Sequence, residues 1–282
     1  MSTPRILIIA GSDSGGGAGI QADIKTVTML GGHAMTAITA ITAQNTLGVQ
    51  AVMPVPAEMV LAQIDSVVSD IGVDAVKIGM IGDAATARAV AERLDPEWPG
   101  HSGAPPIQVV FDPVMIATSG AILADDETIE AFELLMRRAT LVTPNVPELE
   151  VLTGRKIDNG DQMRIAALAL GNRVGTGILA KGGHLPGDQI IDIYAQAVSG
   201  GKGGATVEWQ DTRIETRDSH GTGCTLSSAV ATLLGRGLDP ERAIGEARRF
   251  VREAMLAAPG LGAGHGPMGH GIGVSPFEVI RP

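Results

Sequence analysis

Asp218-Ser-His-Gly-Thr-Gly-Cys-Thr-Leu-Ser-Ser228 sets a glycine-containing turn directly against an apolar-periodic segment, Leu226 to Leu234. This is the sequence form of an anion site at a helix start. Glycines let the backbone approach a ligand closely, the first N–H groups of the helix lack intrahelical partners, and the dipole adds partial positive charge. Thr222 and Thr225 are suitable cap-region residues, and Cys224 sits inside the turn, where a phosphoryl group would lie. Alone, the stretch reads equally well as a helix N-cap loop carrying a small buried Cys. Its surroundings decide between the two.

Short apolar runs alternate with helical patterns along the rest of the chain. Strands are expected at Ile6–Ala10, Ala34–Ala43, Ala75–Ile78, Ile107–Phe111, Leu141–Thr143 and Gly177–Ala180. Between them helices are expected near Ala18–Leu30, Ala57–Ile71, Ala84–Leu94, Asp126–Arg138 and Gln162–Asn172. Such alternation predicts a mostly parallel sheet covered by helices on both faces. After Lys181 the texture changes. Ile190–Ala195, Ala205–Trp209 and Arg213–Thr216 read as short antiparallel strands, followed by helices at Thr222–Leu234 and Pro240–Ala257. The Gly-, His- and Pro-rich tail from Pro259 reads as a loose surface segment. No linker divides the chain, so one domain over residues 1–282 is expected, with a core from about 5 to 257.

Composition limits the function classes. The 282 residues are 44% hydrophobic with 38 glycines, enough for a sizeable core with many tight turns. Aromatics are only 2%, which removes the stacking platform that single-stranded nucleic acid needs. A net charge of −10 argues against nucleic-acid and anionic-membrane surfaces, so an anionic ligand must be held by a local site. One cysteine fits a reducing compartment. No apolar run reaches membrane-spanning length and no signal-peptide pattern opens the chain; a cytoplasmic protein is expected.

The opening strand runs into Gly11-Ser-Asp-Ser-Gly-Gly-Gly-Ala-Gly19. Neither common nucleotide fingerprint fits it: G-x-x-x-x-G-K-[ST] is absent and the G-x-G-x-x-G spacing is only approximated. It reads as a flexible turn over a small ligand, with Asp13 or Asp23 as an acceptor. In open α/β sheets ligands bind beyond the carboxyl ends of the strands. Gly11, Gln44, Gly79-Met80, Asp112, Asn145 and Lys181 each fall at or just past such an end.

Taken together, Ala10-Gly-Ser-Asp-Ser14, Thr42-Ala-Gln-Asn-Thr46, Val76-Lys-Ile-Gly-Met80, Asp112-Pro-Val-Met115, Thr143-Pro-Asn-Val-Pro-Glu148, Lys181-Gly-Gly-His184 and His220-Gly-Thr-Gly-Cys-Thr225 resemble the hydroxymethylpyrimidine/phosphomethylpyrimidine kinases. These form the thiamin-biosynthetic branch of the ribokinase-like superfamily. The resemblance runs from about residue 5 to about residue 256. It implies a ribokinase-like three-layer α/β/α fold with antiparallel strands in the C-terminal half. It also implies ATP and Mg²⁺ as cofactors, a small aminopyrimidine as substrate, a homodimer, and two successive phosphorylations.

Phosphoryl transfer needs phosphate neutralisation, a metal, a held nucleophile and donors for the transferring group. The backbone N–H groups of Gly221, Thr222, Gly223 and Cys224 are the expected donors. Lys181 is the expected mobile cation, with Gly182 giving a ligand room to approach. Asn145 and Glu148, three residues apart at a helix start, can share one face. Glu148 is favoured for positioning the metal and Asp112 for water-mediated metal contacts, although each could simply cap its turn. Cys224 stands where related sugar kinases carry an Asp base; a helix N-terminus and nearby positive charge can depress a thiol pKa. Gln44 matches a ring nitrogen and exocyclic amine. Gly11 and Asp23 are candidates for further polar contacts, and Met80 and Val114 for packing on the ring. Many relatives carry Lys-Ser-Gly-Asp where this chain has Thr118-Ser-Gly-Ala121, which leaves more to Lys181. His220 is expected to brace the anion loop, whereas His265 and His270 lack the partners of a zinc site. Two other readings stay open: a pyridoxal kinase of the same superfamily, and a non-catalytic pyrimidine-binding sensor.

Overall fold

The computed structural model describes residues 3–94, 107–116, 120, 123–196 and 204–272. In chain order its strands are β1 (Arg5–Asp13), β2 (His33–Asn45), β3 (Gly48–Pro54), β4 (Ala75–Ile78), β5 (Gln108–Phe111), β6 (Leu141–Val142), β7 (Gly177–Lys181), β8 (Gln189–Ala195) and β9 (Thr206–Thr212). They form one sheet in the order β3-β2-β1-β4-β5-β6-β7-β8-β9. β2, β1, β4, β5, β6 and β7 run parallel; β3 is antiparallel at one edge, and β8 and β9 at the other. The helices are α1 (Gly19–Met29), α2 (Ala57–Asp70), α3 (Ala84–Arg93), α4 (Asp126–Arg138), α5 (Val146–Thr153), α6 (Gly160–Val174), α7 (Thr222–Gly235) and α8 (Pro240–Leu256).

Strand side chains alternate between faces, and both faces of the central strands are dry. Leu7, Ile9, Val76 and Ile78 pack with Val60 and Ile64 of α2, Val90 of α3 and Leu135 of α4. Ile6, Ile8 and Ala75 pack on the other side with Val27 of α1, Leu233 of α7 and Ile244 of α8. Ile6, Leu7, Ile8 and Ile9 are each 0% exposed, and a side chain buried to that degree stabilises the fold by about 1.5–3 kcal/mol. That is why β1 reads as an unbroken apolar run instead of an alternating one. Helix starts follow from short polar caps: Asp83, Asp125, Asn159 and Asp239 each accept a bond from the N–H three residues on. Gly154 and Gly175 end α5 and α6 in the left-handed region, where a Cβ would be strained.

Three expectations need correction. Antiparallel pairing is not confined to the C-terminal half, because β3 folds back on β2; its five last residues are all exposed, so it lacks the buried alternation that would have marked it. Arg213–Thr216 is not a strand. Arg213 instead donates to the carbonyls of Gly183, Leu185 and Gly187, pinning the segment after β7. Finally, the tail is not loose as far as residue 272. Met268 and His270 are each 3% exposed, His265 N–H donates to Thr46 O, and Gly269 N–H to Ala254 O. A Cβ at Gly264 or Gly269 would run into the Thr46 or Ala257 carbonyl, so these glycines permit close packing. Residues 273–282 lie outside the described residues.

Candidate active site

A cavity of about 1030 Å³ opens at the carboxyl ends of the parallel strands. Gly11, Gln44, Met80, Asp112, Val114, Asn145, Glu148, Lys181 and the turn Gly221 to Cys224 all line it. Gly11, Gln44, Met80, Asp112, Asn145 and Lys181 share one rim because each lies at or just past the end of a strand of the same parallel run, and the Gly221–Cys224 turn joins them after the antiparallel β8 and β9.

The turn is built on Gly221, which caps α7 with φ +85 and no side-chain hydrogen bond. Thr222 does not cap the helix, and Thr225 instead bonds His270 Nε2 at 2.9 Å, which fixes the helix against the tail. A Cβ on Gly221 would run into the Gly17 carbonyl, so the two glycine loops are pressed together here. Gly223 and Cys224 come before the first intrahelical donor, the Thr225 N–H that bonds Gly221 O, which leaves their own N–H groups for a ligand.

Lys181, at the end of β7, reaches Asp112 Oδ1 at 2.7 Å. Burial opposes its charge, but Asp112 and Glu148 outweigh that and hold its pKa above the usual value. Thr143 Oγ1 donates to the same Asp112 oxygen at 2.9 Å. Asn145 and Glu148 form a capping box, each side chain accepting the other's backbone N–H. Glu148 is nonetheless perturbed: burial raises its carboxyl to about 7, against the pull of Lys181. Among the described residues no group of three or more His, Cys, Asp and Glu could hold a metal ion by itself. Mg²⁺ needs no such cage, since it commonly binds one or two carboxylates together with substrate phosphates and waters. Asp112 and Glu148 fit that demand, because two buried carboxylates share a single nearby ammonium.

Three expected contacts are not available. Asp23 is 0% exposed and lies beneath the cavity floor, taken up by Lys77 at 2.9 and 3.0 Å and by Ser228 Oγ at 2.7 Å. Asp13 is turned inward as well, accepting from the N–H groups of Gly15, Gly17 and Ala18 and from His220. Burial works against its charge, but those donors outweigh it and its carboxyl titrates below the ordinary range. Gly182 also fails to offer an approach path. Its N–H donates to Asp192, and a Cβ there would strike the Ile191 carbonyl; Gly183, which lines the cavity, has open space instead. The Thr118-Ser-Gly-Ala121 stretch falls largely outside the described residues.

The expected low thiol pKa is overturned. Burial pushes the Cys224 thiol up to about 11, with Lys77 opposing and Asp23 and Asp112 adding to the rise.

Two groups were missed in the sequence. Lys77 occupies the buried face of β4 shared with Ala75, under α1 and α7; a lysine inside Ala75–Ile78, where every residue is buried, was the available signal. Arg248 of α8 bonds Asp192 and Asp211 at 2.7 Å each, and so supports the Gly182 turn through Asp192.

The sequence pattern of the phosphomethylpyrimidine kinase family matches residues 13–269. The chain is 44% identical over 272 residues to the hydroxymethylpyrimidine/phosphomethylpyrimidine kinase of Bacillus subtilis, covering 96% of each protein. It is 45% identical over 266 residues to the thiamine biosynthesis bifunctional protein ThiED of Geobacter sulfurreducens, covering 94% of this chain and spanning about half, 52%, of that relative. Among solved structures it matches the pyridoxal kinase of Staphylococcus aureus in complex with AMP-PCP and pyridoxal, at a TM-score of 0.81 and 30% identity, covering 96% of this chain and 94% of that one. The fold is therefore ribokinase-like, as the motifs implied. The chain belongs to the phosphomethylpyrimidine kinase family.

Proposed function

We propose that this chain, a single-domain cytoplasmic enzyme, transfers the γ-phosphoryl group of ATP to 4-amino-5-hydroxymethyl-2-methylpyrimidine. It then phosphorylates the monophosphate to the pyrophosphate used in thiamin biosynthesis. One observation carries the reading: a phosphate-type cluster (the Gly221–Cys224 turn, Lys181, Asp112 and Glu148) shares a cavity with Gln44, Met80 and Val114.

The N–H groups of the turn brace the transferring oxygens without reorganising. Lys181 leaves Asp112 to meet the β- or γ-phosphate, and Asp112 and Glu148 are then free to face Mg²⁺. When bound, Mg²⁺ supplies charge neutralisation of the phosphates. A cation beside Glu148 also lowers its pKa from about 7, so the carboxylate charges as the site fills. Gln44 orients the heterocycle while Met80 and Val114 flank it. Cys224 enters the alcohol step as a neutral thiol close to the acceptor oxygen. The second acceptor, a phosphate monoester, is already anionic at neutral pH and needs no base.

Reading the chain as a homodimer is supported by Ile41 and Met53, which stand opposite each other in the β2–β3 register and are 46% and 59% exposed. Sedimentation of an Ile41→Lys, Met53→Lys variant tests it: monomers are expected, and an unchanged dimer would remove this surface from the argument. Pyridoxal phosphorylation is the second reading, favoured by the likeness to a solved pyridoxal kinase. ATP consumption with the pyrimidine, with pyridoxal and with neither separates all readings. Consumption is expected to be fastest with the pyrimidine. Faster turnover of pyridoxal would favour the second reading, and no acceptor-dependent consumption would leave a binding protein.

A further inference from the structure

Gln44 lies between two groups whose hydrogens are already committed. On one side is Thr42 Oγ1, 3.2 Å from the Gln44 oxygen, whose hydroxyl donates to Ser12 O at 2.8 Å. On the other is His220 Nε2, 3.3 Å from the Gln44 nitrogen and 3.0 Å from Asp13 Oδ2. A hydroxyl has one hydrogen, so Thr42 can only accept from Gln44. A ring nitrogen facing an ionised carboxylate carries its hydrogen toward it, so His220 Nε2 is a donor and cannot also accept from an amide NH₂. A half-turn of the carboxamide about its last torsion exchanges its oxygen and nitrogen and removes both clashes: Thr42 then accepts from the NH₂, and the Nε2 hydrogen of His220 is shared between Asp13, the shorter contact, and the Gln44 oxygen.

We infer that His220 is a positioning residue which, held by Asp13, points the Gln44 oxygen toward the imidazole and its NH₂ toward Thr42, and so selects an aminopyrimidine over its oxo counterpart. This rests on the substrate class proposed above. In that orientation Gln44 keeps one lone pair near His220 and one N–H near Thr42 for a ligand. An exocyclic amine beside an unprotonated ring nitrogen offers a donor and an acceptor in the matching order. The 4-oxo analogue, with its carbonyl beside a ring N–H, offers the reverse order. To receive it Gln44 would have to turn back, setting two donors together at His220 and two acceptors together at Thr42. A mismatch of this kind between nearly dry groups costs about 10- to 100-fold in binding. His220 and Asp13 are 8% and 3% exposed, so water cannot easily relieve it. His220 also connects the two halves of the site: its backbone N–H is tied to Gly266 O, and its ring to the Asp13 loop.

The test has two arms. In the first, kcat/KM is measured for 4-amino- and 4-oxo-5-hydroxymethyl-2-methylpyrimidine with the wild type, His220→Phe and Thr42→Val. The amino preference is expected to fall about tenfold or more in each variant, because either side released lets the amide turn. Loss of activity with an unchanged amino/oxo ratio would overturn the proposal and leave His220 a structural residue. In the second arm, ¹⁵N-histidine NMR of the ligand-free wild type reads the His220 ring directly. A hydrogen on Nε2 is expected; a bare Nε2 with the hydrogen on Nδ1 would overturn the proposal even if a variant fails to fold. Should the wild type phosphorylate neither pyrimidine, the substrate reading fails, while the NMR arm still decides the orientation of the His220–Asp13 pair.

Discussion

Replacing Gly223 by Ala separates what the anion turn does for the fold from what it does for a ligand. Gly223 is the second residue of α7, and its φ is not positive, so its backbone accepts a side chain. An Ala in place of Gly inside a helix gains up to about 1 kcal/mol, less in a first turn. In a chain of this size that raises Tm by roughly 2–4 °C at most. The new Cβ would lie 3.3 Å from Lys181 Nζ and 3.4 Å from Asp112 Oδ2. The lysine end can yield by a few tenths of an ångström, so the fold survives. The methyl then fills the gap between the cation and the carboxylate, where a phosphoryl oxygen must come close to the Gly223 N–H. The loss should resemble removal of one oxyanion donor, about 10²- to 10³-fold in kcat. Steady-state kinetics with the pyrimidine saturating, alongside a thermal melt, is the assay. An unchanged or raised Tm with a collapsed kcat is expected. A kcat within about threefold of wild type would show that phosphate does not approach Gly223, and the reasoning about the turn would fail.

Gly221→Ala, two residues earlier, is the opposite case, since it meets a strained φ of +85 and the Gly17 carbonyl; stability and activity should fall together, and a variant stable as wild type would contradict the tight loop contact. Lys77→Met leaves the Asp23 carboxyl without its ammonium in a dry site, and removing one partner of such a pair costs about 3–5 kcal/mol; urea denaturation showing under 1 kcal/mol would mean that water reaches the pair. Because the Cys224 thiol sits at about 11, any thiolate-assisted rate should rise about tenfold per pH unit between 7 and 9 for the alcohol and stay flat for the monophosphate. Equal slowing of both steps in Cys224→Ala single-turnover assays would reject a base role. Burial holds His270 down to about 4, from an ordinary 6.5. The folded chain thus binds fewer protons than the unfolded one between these values, and stability is lost as pH falls through that window, by up to about 3 kcal/mol. His270→Phe should flatten that acid limb in a pH series of melts.

Much of this was legible because the signals were periodic or local. The parallel strands betrayed themselves as continuous apolar runs, and Asp126–Arg138 appears with the expected ends because Asp125 caps it and two arginines close it. Each strand end also carried its site residue, so the rim could be drawn before any coordinates. What escaped was set by tertiary contact. β3 is exposed, and its pairing depends on β2 alone. The tail reads as loose because its glycines say nothing about the carbonyls they pack against. Asp23 and Lys77 are 54 positions apart, and only their meeting beneath the floor removes the acid from the ligand's reach. Cys224 was misjudged for a similar reason: its burial, which only the folded chain shows, outweighs the pull of Lys77, and Asp23 and Asp112 add to the rise.

The most direct measurement is a crystal structure of this chain with AMP-PCP, Mg²⁺ and the aminopyrimidine. The account predicts γ-phosphoryl oxygens within hydrogen-bonding distance of the Gly223 and Cys224 amides, Lys181 swung off Asp112, and the heterocycle edge on Gln44 with its hydroxymethyl oxygen toward Cys224. Phosphates bound elsewhere along the rim, or a heterocycle with no contact to Gln44, would contradict it.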